Sequence, residues 1–160
     1  MKKTSGKMAA AIVVVLLIVI FITAGHATAR ETARDGRFIA YDNGTVLDTR
    51  TGLTWASRDN GSDIHWTDAK SYCDNYRGGG YTDWRLPTED ELAGLYDKSK
   101  TDNKSDRGFK VYLTKLIHLT TAWQWTSAGF YFNFNNGTRK VIKTAYGFVY
   151  YRVLPVRSGK

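Results

Sequence analysis

The residues that could do chemistry are sparse and poorly spaced for catalysis. Beyond residue 29 the chain holds His65, His118 and Cys73 as its only histidines and cysteine, all far apart. A zinc site needs several such ligands at short, paired spacings, and no such pairing exists. Asp102, Asn103 and Asp106 offer oxygen ligands in one loop but lack the spacing of an EF-hand. The Glu-Pro-Asn and Gln-Pro-Asp triplets of calcium-dependent sugar binding are absent, and so are a nucleophile elbow and a cysteine–histidine signature. Glu89, Asp90 and Glu91 are adjacent carboxylates, but at the first turn of a helix they complement its positive end. The expectation is a chain with no catalytic residues, no metal and no cofactor.

Binding chemistry is concentrated near the C-terminus. Tyr131, Asn133, Asn135, Asn136, Arg139 and Lys140 cluster on one hairpin, whose turn is marked by Asn136-Gly137. Strand alternation puts Phe130, Phe132 and Phe134 on one face and Tyr131, Asn133 and Asn135 on the other. The phenylalanine face is expected in the core. The other face suits a sugar ring: tyrosine to stack, amides for hydroxyls, and Arg139 and Lys140 for sulfate or carboxylate groups. Tyr150 and Arg152 alternate in the same way on the last strand. A plain solvated strand face is the alternative reading.

The elements that would position these residues follow from local signals. Phe38–Tyr41, Thr45–Asp48 and Leu53–Trp55 read as a strand meander, turned by Asp42-Asn43-Gly44 and Thr51-Gly52. A helix opens at Trp66-Thr67 with Thr67 as N-cap, and Ala69, Tyr72, Cys73 and Tyr76 form its apolar stripe. Gly78–Gly80 follows that helix. Pro87 keeps Leu86 extended; Thr88 then caps a second helix, with Glu91 completing a capping box and Leu92, Leu95 and Tyr96 facing inward. Arg85 is expected to pair structurally with Glu91 or Asp83. Residues 98–108 read as a flexible charged loop, residues 109–119 fit neither period, and aromatic-rich strands are expected over 123–126, 129–135, 138–144 and 147–156. Cys73 reads as a buried, inert thiol, an intermolecular disulfide being the alternative.

The run from Gly79 to Leu92, Gly-Gly-Tyr-Thr-Asp-Trp-Arg-Leu-Pro-Thr-x-x-Glu-Leu, resembles the Lcl C-terminal domain family, formerly domain-of-unknown-function family 1566. Val46–Trp55 and Val153–Arg157 extend the resemblance over about Phe38 to Arg157. It implies an α+β, C-type-lectin-like fold: two helices on short antiparallel strands, a C-terminal aromatic hairpin, and the N-terminal meander beside the last strand. In that frame Trp55, Trp84, Arg85, Pro87, Thr88 and Glu91 are structural. The Trp-Arg-Leu-Pro-Thr run also looks like part of the formylglycine-generating sulfatase-activating domain. Enzymes of that kind use a pair of cysteines, and Cys73 stands alone.

The first 29 residues combine Lys2, Lys3 and Lys7, an apolar run over 8–24 and the Ala27-Thr28-Ala29 site, which together read as a secretory signal. The apolar run approaches the length of a spanning helix, so an uncleaved anchor is the alternative. Residues 30–37 read as a linker and 38–157 as one domain. Without the three signal lysines, 20 of the 23 basic residues face 15 acidic ones, an excess of +5. That diffuse excess favours anionic partners at a surface and does not suggest nucleic acid; a membrane would be met only through the N-terminal segment. The expected protein is exported from a bacterium to the periplasm, cell surface or medium. The family resemblance, through the adhesion or glycosaminoglycan binding of a family member, implies a non-enzymatic module for an anionic or other extracellular glycan. The alternative is an envelope structural or assembly protein that binds another protein through the hairpin face.

Overall fold

A computed structural model describes residues 28–141 and 151–159. The signal segment (save its last two residues), the continuation of the hairpin strand over 142–144 and the start of the expected last strand, Tyr150 included, lie outside the described residues. The architecture is α+β: two antiparallel sheets and two short helices.

The larger sheet has five strands: β1 (Glu31–Asp35), β2 (Phe38–Tyr41), β3 (Thr45–Asp48), β4 (Leu53–Ala56) and, at the far edge, β8 (Val156–Ser158). The meander β2–β3–β4 forms where the turn residues place it. Residues 30–37, expected as a linker, are instead occupied by the edge strand β1, with Arg34 opposite Ile39 and Asp35 opposite Phe38. Most of β1 is exposed and polar, so no apolar alternation announces it, and charge suits an unpaired edge. On the other side, Trp55 of β4 pairs with Val156 of β8. The two ends of the domain meet there, as the family resemblance implied.

The smaller sheet is β5 (Trp123–Trp125), β6 (Phe130–Asn133) and β7 (Thr138–Val141). Residues 151–156 tie the two sheets together. The backbone of Arg152 exchanges hydrogen bonds with Trp123 and Trp125, and that of Val156 does so with Arg85. The last strand accordingly begins at Val156, where sequence alternation would have ended it.

Helix α1 (Trp66–Asn75) buries Ala69 and Cys73; α2 (Glu89–Leu95) buries Leu92 and Leu95. The N-cap of α1 is His65 rather than Thr67, because the His65 carbonyl accepts the first-turn N–H groups of Asp68 and Ala69. The cap of α2 is as the sequence reads. Thr88 accepts from the Glu91 N–H, and the Glu91 carboxylate accepts from the Thr88 N–H at 2.7 Å.

Two apolar clusters result. The main core gathers Val46, Trp55, Trp84, Leu92, Leu95, Ile117, Phe132, Phe134 and Val156, with others. A smaller cluster under α1 joins Ala69, Cys73, Leu86, Trp125 and Val153. Residues 98–119 carry no regular element, yet they are pinned. The N–H of Asp106 reaches the Leu119 carbonyl, that of Val111 reaches Asn103, and that of Tyr112 reaches Phe134. The loop expected over 98–108 is irregular, as expected, and is bonded to the rest of the domain. Val111, Leu113, Ile117 and Leu119 serve the core from an irregular backbone.

Candidate functional site

A groove of about 600 Å³ opens between α1, the extended Arg85–Thr88 segment and the turn after β5, within the size range of small-ligand sites. One wall comes from α1. Trp66, Lys70 and Asp74 recur every four residues and so form one row along the helix, about 12 Å long at 1.5 Å per residue. The opposite wall is Arg85, Leu86 and Thr88, and Ser127 closes one end. Leu86 is buried and belongs to the small core, so the groove has an apolar floor.

Trp66 is 40 % exposed, the most exposed large apolar side chain among the described residues. Its ring is nonetheless fixed. The indole N–H donates to the Thr126 carbonyl at 2.9 Å, and the ring lies against Gly129, where an added Cβ would sit 3.4 Å away. Gly129 also has φ +79°, which disfavours any larger residue. An aromatic plate held in this way loses little conformational entropy on binding.

The far wall is equally braced. Arg85 makes a bidentate pair with Glu91 at 2.6 and 2.8 Å, which settles its partner; Asp83 pairs instead with Arg157 at 2.6 Å. Burial pushes the Glu91 carboxyl up, but the Arg85 guanidinium and the Thr88 N–H pull it further down, to a net value below the ordinary one. The same pair raises the Arg85 pKa. Trp84, 2 % exposed, anchors the segment from behind through an indole bond to the Gly78 carbonyl at 3.1 Å. Pro87 and Trp55 are buried as well. Beneath α1, Cys73 is a free thiol whose pKa burial pushes up to about 12.

The hairpin residues are placed differently. Tyr131 is half-buried, with its ring 4.8 Å from that of Tyr151 and against the small core. Asn133 is buried, and its side-chain Oδ1 accepts the Asn135 N–H at 2.9 Å. The Asn135 amide donates to the Lys110 carbonyl at 2.7 Å. Asn136 accepts from both the N–H and the hydroxyl of Thr138. Arg139 reaches across to α2, 2.7 Å from Glu89 and 3.4 Å from Asp90. Lys140 is exposed. Arg152, expected beside them, is buried and bonded to Thr120 and Asp63. The strand alternation holds for the core face, where Phe132 and Phe134 are buried. On the opposite face Tyr131 packs against the small core, while Asn136, Arg139 and Lys140 are exposed.

Trp66, Thr67, Lys70, Asp74 and Ser127 line the groove and are not among the residues the sequence singles out for binding. The available signal was the i, i+4, i+8 row on the side of α1 opposite its apolar stripe, beginning with a tryptophan. No three His, Cys, Asp or Glu side chains converge as a metal set among the described residues.

The groove and the hairpin both lie inside the stretch matched by a known family. The model of the Lcl C-terminal domain matches residues 44–157, most of the chain, and the chain belongs to that family. No curated protein and no solved structure matches it. The α+β architecture is thus seen directly, while the lectin-like comparison rests on the family resemblance.

Proposed function

We propose that the chain is an exported, non-enzymatic binding domain for an extracellular or envelope glycan, and that it binds in the groove between α1 and the Arg85–Thr88 segment. The observation that carries this reading is the immobilised, exposed Trp66 ring at the edge of a cavity of about 600 Å³. A flat aromatic plate beside hydroxyl, carboxylate and ammonium groups offers a sugar both of its surfaces: stacking for the C–H face, hydrogen bonds for the rim. The signal-like first 29 residues support export. Within the groove Asp74 is bound to Lys70, and behind its far wall Glu91 is bound to Arg85.

The test is a screen of the full chain in mild detergent against immobilised glycans, beside Trp66→Ala. Glycan capture that disappears in Trp66→Ala, with the thermal transition retained, is the expected result. Capture that Trp66→Ala leaves intact would move the site out of the groove.

A further inference from the structure

Resting on that reading, we infer that the ligand of the groove is an uncharged saccharide of about two rings rather than a sulfated or acidic glycan. The cations that line the groove already have anionic partners on the protein. Lys70 lies 2.7 Å from Asp74 on the same helix, and the two terminal nitrogens of the Arg85 guanidinium each donate to a Glu91 oxygen. A sulfate or carboxylate entering the groove would compete with a protein carboxylate for each of these cations, and would meet Asp74 as a like charge. On the hairpin, Arg139 is likewise held between Glu89 and Asp90. The overall +5 excess therefore does not appear at this site as a field for an anion.

What the groove does present suits hydroxyls. The Lys70 ammonium has donors beyond the one used by Asp74, and Asp74 keeps lone pairs to accept with. The Thr88 hydroxyl oxygen accepts from the Glu91 N–H, which leaves its O–H to donate. Thr67 and Ser127 add hydroxyls from the two sides. Donor and acceptor side by side on Lys70 and Asp74 match a vicinal diol, which needs one of each. Below them, Leu86 offers an apolar floor and Trp66 a ring for the C–H face of a pyranose. Sugar rings repeat at about 5 Å, so the row of about 12 Å from Trp66 to Asp74 accommodates two.

The experiment is equilibrium binding of the full chain in mild detergent to two probes. One is a set of neutral oligosaccharides (gluco-, manno- and galacto-configured); the other is heparin. Each is measured from about 0.05 to about 0.5 M salt, over which screening changes severalfold. Wild type is compared with Trp66→Ala, Trp66→Phe and Asp74→Asn. The expected result is binding to at least one neutral series that changes less than about twofold with salt. It should fall about tenfold or more in Trp66→Ala, the equivalent of losing one good contact, and recover partly in Trp66→Phe, which keeps a ring. Asp74→Asn should weaken the neutral ligand and add salt-sensitive heparin binding, because it frees Lys70. Trp66-dependent binding of heparin alone, lost with salt, would overturn the uncharged ligand while leaving the groove as the site. An absence of Trp66-dependent binding to either probe would overturn the groove as well. Retained melting transitions in the two Trp66 variants separate both outcomes from misfolding.

Discussion

The groove and the C-terminal hairpin contain similar residue types, and the structure uses them in opposite ways. Each offers an aromatic ring, amides or hydroxyls, and basic side chains. On the hairpin nearly all of this is consumed internally: Asn133 and Asn136 shape the turn, Asn135 holds Lys110, Tyr131 packs on Tyr151, and Arg139 clasps α2. Gly137 shows how tight that region is, since with φ +73° an added Cβ would lie 2.9 Å from the Tyr96 ring. In the groove the bracing is done by backbone carbonyls and by the Arg85–Glu91 pair, so the Trp66 ring and several hydroxyls face outward.

The largest effect that sharpens this contrast should come from Trp84, which fixes the groove's far wall from the main core. Trp84→Ala should cost about 3–5 kcal/mol, as for a large buried aromatic, measured by urea unfolding. A loss below about 1 kcal/mol would mean that the wall stands without it. Next comes the hairpin. Tyr131→Ala with Arg139→Ala should cost about 2 kcal/mol, roughly half the value of a fully buried ring, because Tyr131 is half-buried in the small core and Arg139 links β7 to α2. An unchanged melting temperature in this double variant would return the hairpin to the status of a free ligand face.

A smaller effect concerns the Arg85–Glu91 brace. Its carboxyl titrates lower in the folded chain than the ordinary 4.5. The stability it provides is therefore fully present above about that pH and is lost as pH falls through the folded value. Glu91→Gln should remove about 1 kcal/mol at neutral pH, a modest figure because Arg85 remains partly exposed to screening solvent. It should also flatten the decline of stability on acidification below pH 4.5. An acid limb identical to wild type would show that this pair does not hold the wall.

How much of this was legible in the sequence depended on the range of the forces involved. The meander over 38–56 and the Thr88 capping box are fixed by turn and cap chemistry within a few residues, and both appear where the sequence puts them. The edge strand β1 was not legible, since its exposed polar residues carry no alternation and its pairing comes from β2. Residues 98–119 owe their order to backbone bonds with Leu119, Phe134 and one another, which no local period encodes. On the hairpin, alternation identifies two faces but not that Tyr131 would pack against a second cluster built from α1, Trp125 and Val153. In the sequence Trp66 marks only the start of a helix, because its exposed, fixed position depends on Gly129 and Thr126, about sixty residues away.

The most direct test of the central claim is a residue-resolved map of binding: amide and indole NMR signals followed as a neutral oligosaccharide mixture is added. The account predicts movement of the Trp66 indole N–H and of the Lys70, Asp74 and Ser127 amides, with Asn135, Asn136 and Lys140 still. Movement confined to those three hairpin residues, with the Trp66 indole unchanged, would contradict it.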